Sequence, residues 1–245
     1  MSLADLCPSA DDTAGRVLAD YGAIFVAGEN VMPPPTCVFT NEERVQQFQA
    51  AAGSTAAIID GARIELQPAA MEALLKAREQ AHAEGLDITP RDGAEAARRS
   101  YADTLRLWNT RFLPALDHWQ KQGRLSPEQV DRLQGLPVDG QVREVLILEK
   151  QGIFFSKDFS KSVLYSIAAP GASQHVAMLA FDIIEFQNVR VREILGEHGW
   201  FQTVLSDLPH FTFLGLERSD LPQRGLKPVD VSGQTFWIPD VENSE

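Results

Sequence analysis

The sequence predicts an α+β fold, with helices first and a mostly antiparallel sheet after them. Two observations carry that expectation. Apolar residues recur at helical spacings through most of the stretch from Pro68 to Gln151. After Gly152 the texture changes to short runs rich in apolar and aromatic residues, which read as strands.

The elements follow in order. Gly22 to Ala27 reads as a short strand, and Val31-Met32-Pro33-Pro34-Pro35 can form neither helix nor central strand. Glu42 to Ala52 reads as a helix behind a Thr40/Asn41 cap. Thr55 to Leu66 reads as a hairpin turning at Asp60-Gly61. Met71, Leu74, Leu75 and Ala81 mark a helix from Pro68 that stops before Gly85. Leu86 to Thr89 reads as a strand. Ala94 to Gln122 reads as one long helix, bent at Pro114. Ser126-Pro127 starts another helix, with Ser at the cap and Pro in the first turn. Gln141 to Gln151 continues the helical pattern. Ser162–Ile167, Val176–Phe186, Phe211–Leu214 and Thr235–Ile238 read as strands, and Val189–Glu197 as a short helix. Residues 216–234 read as a loop. Residues 1–66 are expected to form an extension packed on a core unit of residues 67–245.

A hydrophobic fraction of 44% and a charged fraction of 23% suit a globular chain. The net charge of −12 argues against non-specific nucleic-acid binding, which needs a basic footprint. No apolar run approaches the ~20 residues of a membrane-spanning helix. No signal peptide is visible at Met1-Ser2-Leu3, which leaves a cytoplasmic protein or a chain that starts after a removed signal. Cys7 and Cys37 lie 30 residues apart and far from any histidine. They are either two reduced buried thiols or a disulfide worth ~3–4 kcal/mol in the chain-entropy model, which would imply an oxidising compartment.

The chemistry concentrates in Ser173-Gln174-His175, Asp182 and Asp207-Leu208-Pro209-His210. Two histidines and a carboxylate are a usual ligand set for a catalytic zinc. Asp207 stands where a base could act on an activated water. His175 and Asp182 are seven apart, so in one regular strand they would face opposite sides. They can meet only if His175 sits in the loop that Pro170-Gly171 introduces, or if a bulge intervenes. There is no SxxK, Walker A loop, GxGxxG or HExxH.

The pattern Pro170-Gly171-x-Ser173-x-His175, Ala180-x-Asp182, then Asp207-x-Pro209-His210-Phe211 resembles the zinc D-alanyl-D-alanine carboxypeptidase family. That group includes VanY-type and VanX-type peptidases and the L-alanyl-D-glutamate endolysins. The resemblance covers roughly residues 85–215, with His198-Gly199-Trp200 between the motifs. It implies a hedgehog/DD-peptidase-like α+β fold and one zinc held by His175, Asp182 and His210, with Asp207 as base. It further implies cleavage of a D-amino-acid peptide bond in peptidoglycan, in an extracytoplasmic setting. Ser173 and Met178 are the expected substrate-side residues. Met178 replaces a glycine usual in the family. The family's arginine has two candidates here: Arg91, preferred for its strand-to-helix position, and Arg99, which falls inside the expected helix. Those departures, with the long N-terminal extension, motivate the alternative of a non-catalytic zinc-containing module that binds cell-wall peptides or a protein partner.

Overall fold

The computed structural model describes Cys7 and residues 12–240. The fold is α+β: seven α-helices and three small antiparallel sheets among those residues. Helix α1 (Asp12–Tyr21) runs into a 3-10 turn over Gly22–Val26, where a strand was expected. Helix α2 (Glu42–Ala52) starts at Asn41, whose side chain accepts the Arg44 N–H. Strands β1 (Thr55–Ile59) and β2 (Ala62–Leu66) form the expected hairpin. Its turn residues Asp60 and Gly61 both have positive φ, the two-residue geometry that matches strand twist. Helix α3 (Pro68–Ala83) follows.

The long helix begins later than the periodicity suggests. Helix α4 covers Tyr101–Lys121, and Ser100 caps it reciprocally with Asp103. Arg99 therefore precedes the helix. Pro114 sits inside α4. Its missing N–H would have served the Thr110 carbonyl, which instead accepts from the Arg111 guanidinium at 3.4 Å. Helices α5 (Pro127–Gly135) and α6 (Val138–Glu149) complete this layer, α5 behind the expected Ser126 cap.

Strands β3 (Ala180–Asp182), β4 (Trp200–Phe201) and β5 (His210–Phe213) form the second sheet in the order β3-β5-β4. Helix α7 (Val189–Glu197) links β3 to β4. The expected strands at Ser162–Ile167 and Leu86–Thr89 are absent. The first holds a 3-10 turn over Val163–Tyr165. The second flanks β3 through single bonds, Ile184 N–H to Thr89 O (3.1 Å) and Arg91 N–H to Asp182 O (3.0 Å). The expected loop at 216–234 contains β6 (Leu226–Val231), which pairs with β7 (Gln234–Pro239) across Ser232-Gly233.

One apolar cluster joins β1–β2, α2, α3 and α7 to the β3-β5-β4 sheet, and includes Ile24 and Phe39 from the first 66 residues. A second cluster is helical and contains Trp108, Phe112 and both cysteines. Cys7 and Cys37 form a disulfide with Cα atoms 5.4 Å apart. Among the described residues, no helix is long and apolar enough to cross a membrane.

The loop before His175 depends on Gly171. At φ +78° its backbone lies against the Phe39 peptide, accepting the Phe39 N–H at 3.0 Å. Its own N–H donates to Thr104 Oγ1 at 3.1 Å. A methyl group there would overlap the Phe39 carbonyl. Gly171→Ala is expected to cost about 1–2 kcal/mol for the left-handed backbone and roughly 1–3 kcal/mol for overpacking. Urea unfolding of the purified variant measures it.

Candidate metal centre

His175 is carried not by a strand but by a 3-10 turn over Gln174–Ala177. That turn ends at Met178 in a left-handed conformation (φ 56°, ψ 33°), and only then does β3 begin. The reversal removes the parity problem of a seven-residue spacing. Asp182 and His210 face each other directly across the β3–β5 ladder. A turn sets the start of β5, with the His210 N–H bonding to Asp207 O at 3.2 Å. The three side chains converge, their candidate ligand atoms all within 4.8 Å of one another, and each residue is buried.

The hydrogen bonds behind the rings determine where the lone pairs point. His175 Nδ1 lies 3.0 Å from the Ala97 carbonyl, which can only accept, so Nδ1 carries the proton and Nε2 is bare. His210 Nε2 lies 2.8 Å from Gln174 Oε1. The Gln174 amide nitrogen donates to the Tyr21 carbonyl at 2.8 Å, which fixes which end of the amide faces His210. Nε2 of His210 is therefore the donor and Nδ1 the bare atom. The two bare nitrogens stand 3.1 Å apart. Asp182 Oδ1 is 2.9 Å from His210 Nδ1, and Oδ2 is 3.2 Å from His175 Nε2. Two lone pairs and a carboxylate aimed at one point repel unless a cation lies among them. Ligands of one tetrahedral zinc at about 2.0–2.1 Å stand roughly 3.3 Å apart, so this donor set fits such an ion with little adjustment.

The proton is a poor substitute at His175. Burial, and then the nearby Arg99 charge, hold its imidazole down to about 4, so it is neutral at physiological pH. Burial pushes the Asp182 carboxyl up, but His175 and His210 outweigh it and hold it well below the usual carboxylate range. Asp207 lies at the rim, where part of the residue meets solvent. The protein packed around its carboxyl, together with the Asp182 charge, still pushes it above the ordinary carboxylate value.

Arg99, Ser173, His175, Asp207 and His210 line one cleft of about 140 Å³. Arg99 Nη2 donates to Asp182 Oδ2 at 3.0 Å, and its Nε donates to Glu95 O. Arg91, the preferred arginine, is not among the lining residues. Its side chain is exposed, with the guanidinium 5.9 Å from the Phe186 ring centroid. Met178 is buried and does not line the cleft, so it forms no wall of it. Glycine would adopt this left-handed backbone without steric cost, which methionine does not. Met178→Gly is expected to relieve roughly 1–2 kcal/mol of backbone strain but lose about 2–5 kcal/mol of packing, a net destabilisation in urea titrations.

Sequence reasoning gave no role to Gln174, Ala97 or Tyr21, the last two of which act through backbone carbonyls. Gln174 carried one signal, its place beside His175 in a short apolar segment. The other histidines serve elsewhere: His82 Nε2 meets Asp87 at 2.9 Å, His198 Nε2 meets Gln80 at 2.8 Å, and His118 stacks on Phe159. No protein-family model matches the chain, and no curated protein matches it significantly.

Proposed function

We propose that the chain is a zinc metallopeptidase that hydrolyses a D-amino-acid-containing peptide bond in peptidoglycan, in the manner of a D,D-carboxypeptidase with a hedgehog/DD-peptidase-like fold. The observation that carries the reading is the convergence of bare His175 Nε2, bare His210 Nδ1 and the Asp182 carboxylate beside a cleft that also holds Asp207 and Arg99. When bound, zinc supplies Lewis acidity, polarising a scissile carbonyl and making water nucleophilic near neutral pH.

The chain's residues supply the rest. The Asp207 carboxylate takes the proton of the attacking water and returns it to the leaving amine. Arg99 offers positive charge where the scissile carbonyl oxygen becomes negative. Two of its five N–H donors are engaged by Asp182 and Glu95, which holds the guanidinium in place. Ser173 on the cleft wall contributes a hydroxyl to substrate. The Cys7–Cys37 disulfide supports an extracytoplasmic location, where the substrate lies.

Incubation of the zinc-loaded protein with purified peptidoglycan, followed by mass spectrometry of the muropeptides, tests the reading. Loss of a terminal or bridging D-amino acid is expected, abolished by a chelator and restored by zinc. Zinc binding without any cleavage would leave the binding-module alternative. A folded protein that takes up no zinc at neutral pH would refute both.

A further inference from the structure

Gln174 is only 3% exposed, and its polar atoms are met from several sides. Its amide nitrogen donates to the Tyr21 carbonyl at 2.8 Å and lies 3.4 Å from Thr203 Oγ1. Its Oε1 accepts from His210 Nε2 at 2.8 Å and from the Thr212 hydroxyl. Thr212 is two residues beyond His210 on β5, on the same face of the strand. Thr203 Oγ1 lies 2.6 Å from Thr212 Oγ1 and closes the network.

A backbone carbonyl cannot donate, so an amide turned the other way would set oxygen against the oxygen of Tyr21. Tyr21 is itself fixed, since its hydroxyl donates to Leu164 O at 2.8 Å. It ends α1, in the part of the chain that the sequence presents as an appended extension. Resting on the reading of His175, Asp182 and His210 as a metal site, we propose that Gln174 is a positioning residue. It commits His210 to bind through Nδ1, and the N-terminal segment enforces this through the Tyr21 carbonyl. Helix α1, through Tyr21 at its end, is then part of the metal centre and not a cover over it. Partners behind a ligating histidine fix its tautomer and ring orientation, and their loss typically lowers metal affinity 10–100-fold.

Two measurements test this without relying on turnover. Long-range nitrogen–proton NMR of the zinc-loaded full chain should find the His210 proton on Nε2. Competition against a chromophoric chelator should find zinc bound about 10–100-fold more weakly by Gln174→Leu. A His210 proton on Nδ1, or zinc affinity of Gln174→Leu within about twofold of the unsubstituted protein, would overturn the proposal. If Gln174→Leu fails to fold, the NMR measurement on the unsubstituted chain still decides the tautomer. If that chain takes up no zinc, the metal reading fails, and the same spectrum of the metal-free protein still reports whether His210 Nε2–H faces Gln174.

Discussion

Zinc retention and hydrolysis are expected to disappear together in Asp182→Ala, and the fold is expected to weaken with them. Asp182 is the one anion among the three converging groups. It stands 2.9 Å from His210 Nδ1, 3.2 Å from His175 Nε2 and 3.0 Å from Arg99 Nη2. Without it the two bare nitrogens lose the charge that complements a dication. Arg99, whose side chain is 14% exposed, loses its only carboxylate among the described salt bridges. Breaking a buried pair by removing one partner costs about 3–5 kcal/mol, and the partial exposure of Arg99 to the cleft puts this case near the lower end. Asp182→Asn keeps an acceptor for Arg99, so it should retain more stability while still losing zinc. Metal content after dialysis gives the first result, and urea unfolding in chelator gives the second free of any metal contribution. An Asp182→Ala protein that keeps one equivalent of zinc would show that the carboxylate is not a ligand.

The candidate ligands were legible in the sequence because their chemistry resides in side chains. Two histidines, a carboxylate and a second carboxylate before the last histidine form a readable set. Their mutual placement was legible only in outline. The seven-residue spacing demanded a departure from regular strand before Asp182, and the 3-10 turn at Gln174–Ala177 supplies it. Its end at Met178 was not legible, because a left-handed methionine contradicts local preference and is held by burial together with backbone bonds, its own N–H to His175 O at 3.1 Å and the Gln67 N–H to its carbonyl at 3.0 Å.

The arginine illustrates a signal that was present but outweighed. Ser100 and Asp103 stand at capping-box spacing, which starts α4 after Arg99 and leaves that residue in the loop facing Asp182. Helical periodicity running on from Ala94 obscured it. The missed strand β6 had a different cause. Its sequence, with Lys227, Pro228 and Asp230, alternates between half-buried and exposed positions after Leu226 in a two-stranded sheet and offers no apolar run. The Ala97 and Tyr21 carbonyls could not be read at all, since every residue has one. Side-chain chemistry therefore predicts which atoms could bind an ion, while backbone geometry decides which of their nitrogens are bare.

Asp207→Asn separates the binding of metal from its use. The variant is expected to retain zinc, because Asp207 lies outside the ligand triad, while turnover falls about 10²–10⁴-fold for loss of a general base. The direction of its pKa shift adds a pH signature. In the metal-free protein, surrounding protein and then the Asp182 charge push the Asp207 carboxyl above its ordinary 3.8, whereas a bound dication pulls the same group down. An acid limb of kcat/KM that belongs to Asp207 should therefore be absent from any residual activity of Asp207→Asn. Stability carries the opposite sign. A carboxyl whose folded pKa exceeds its unfolded one loses stability as pH rises through that window, and the loss persists at neutral pH. Asn does not ionise, so in chelator Asp207→Asn should gain stability relative to the unsubstituted chain between acidic and neutral pH. A residue that merely supported the fold would lose stability and activity together. Thermal unfolding in chelator across that pH range, set beside kcat/KM with zinc, distinguishes the two, and a destabilised Asp207→Asn with full turnover would remove Asp207 from the mechanism.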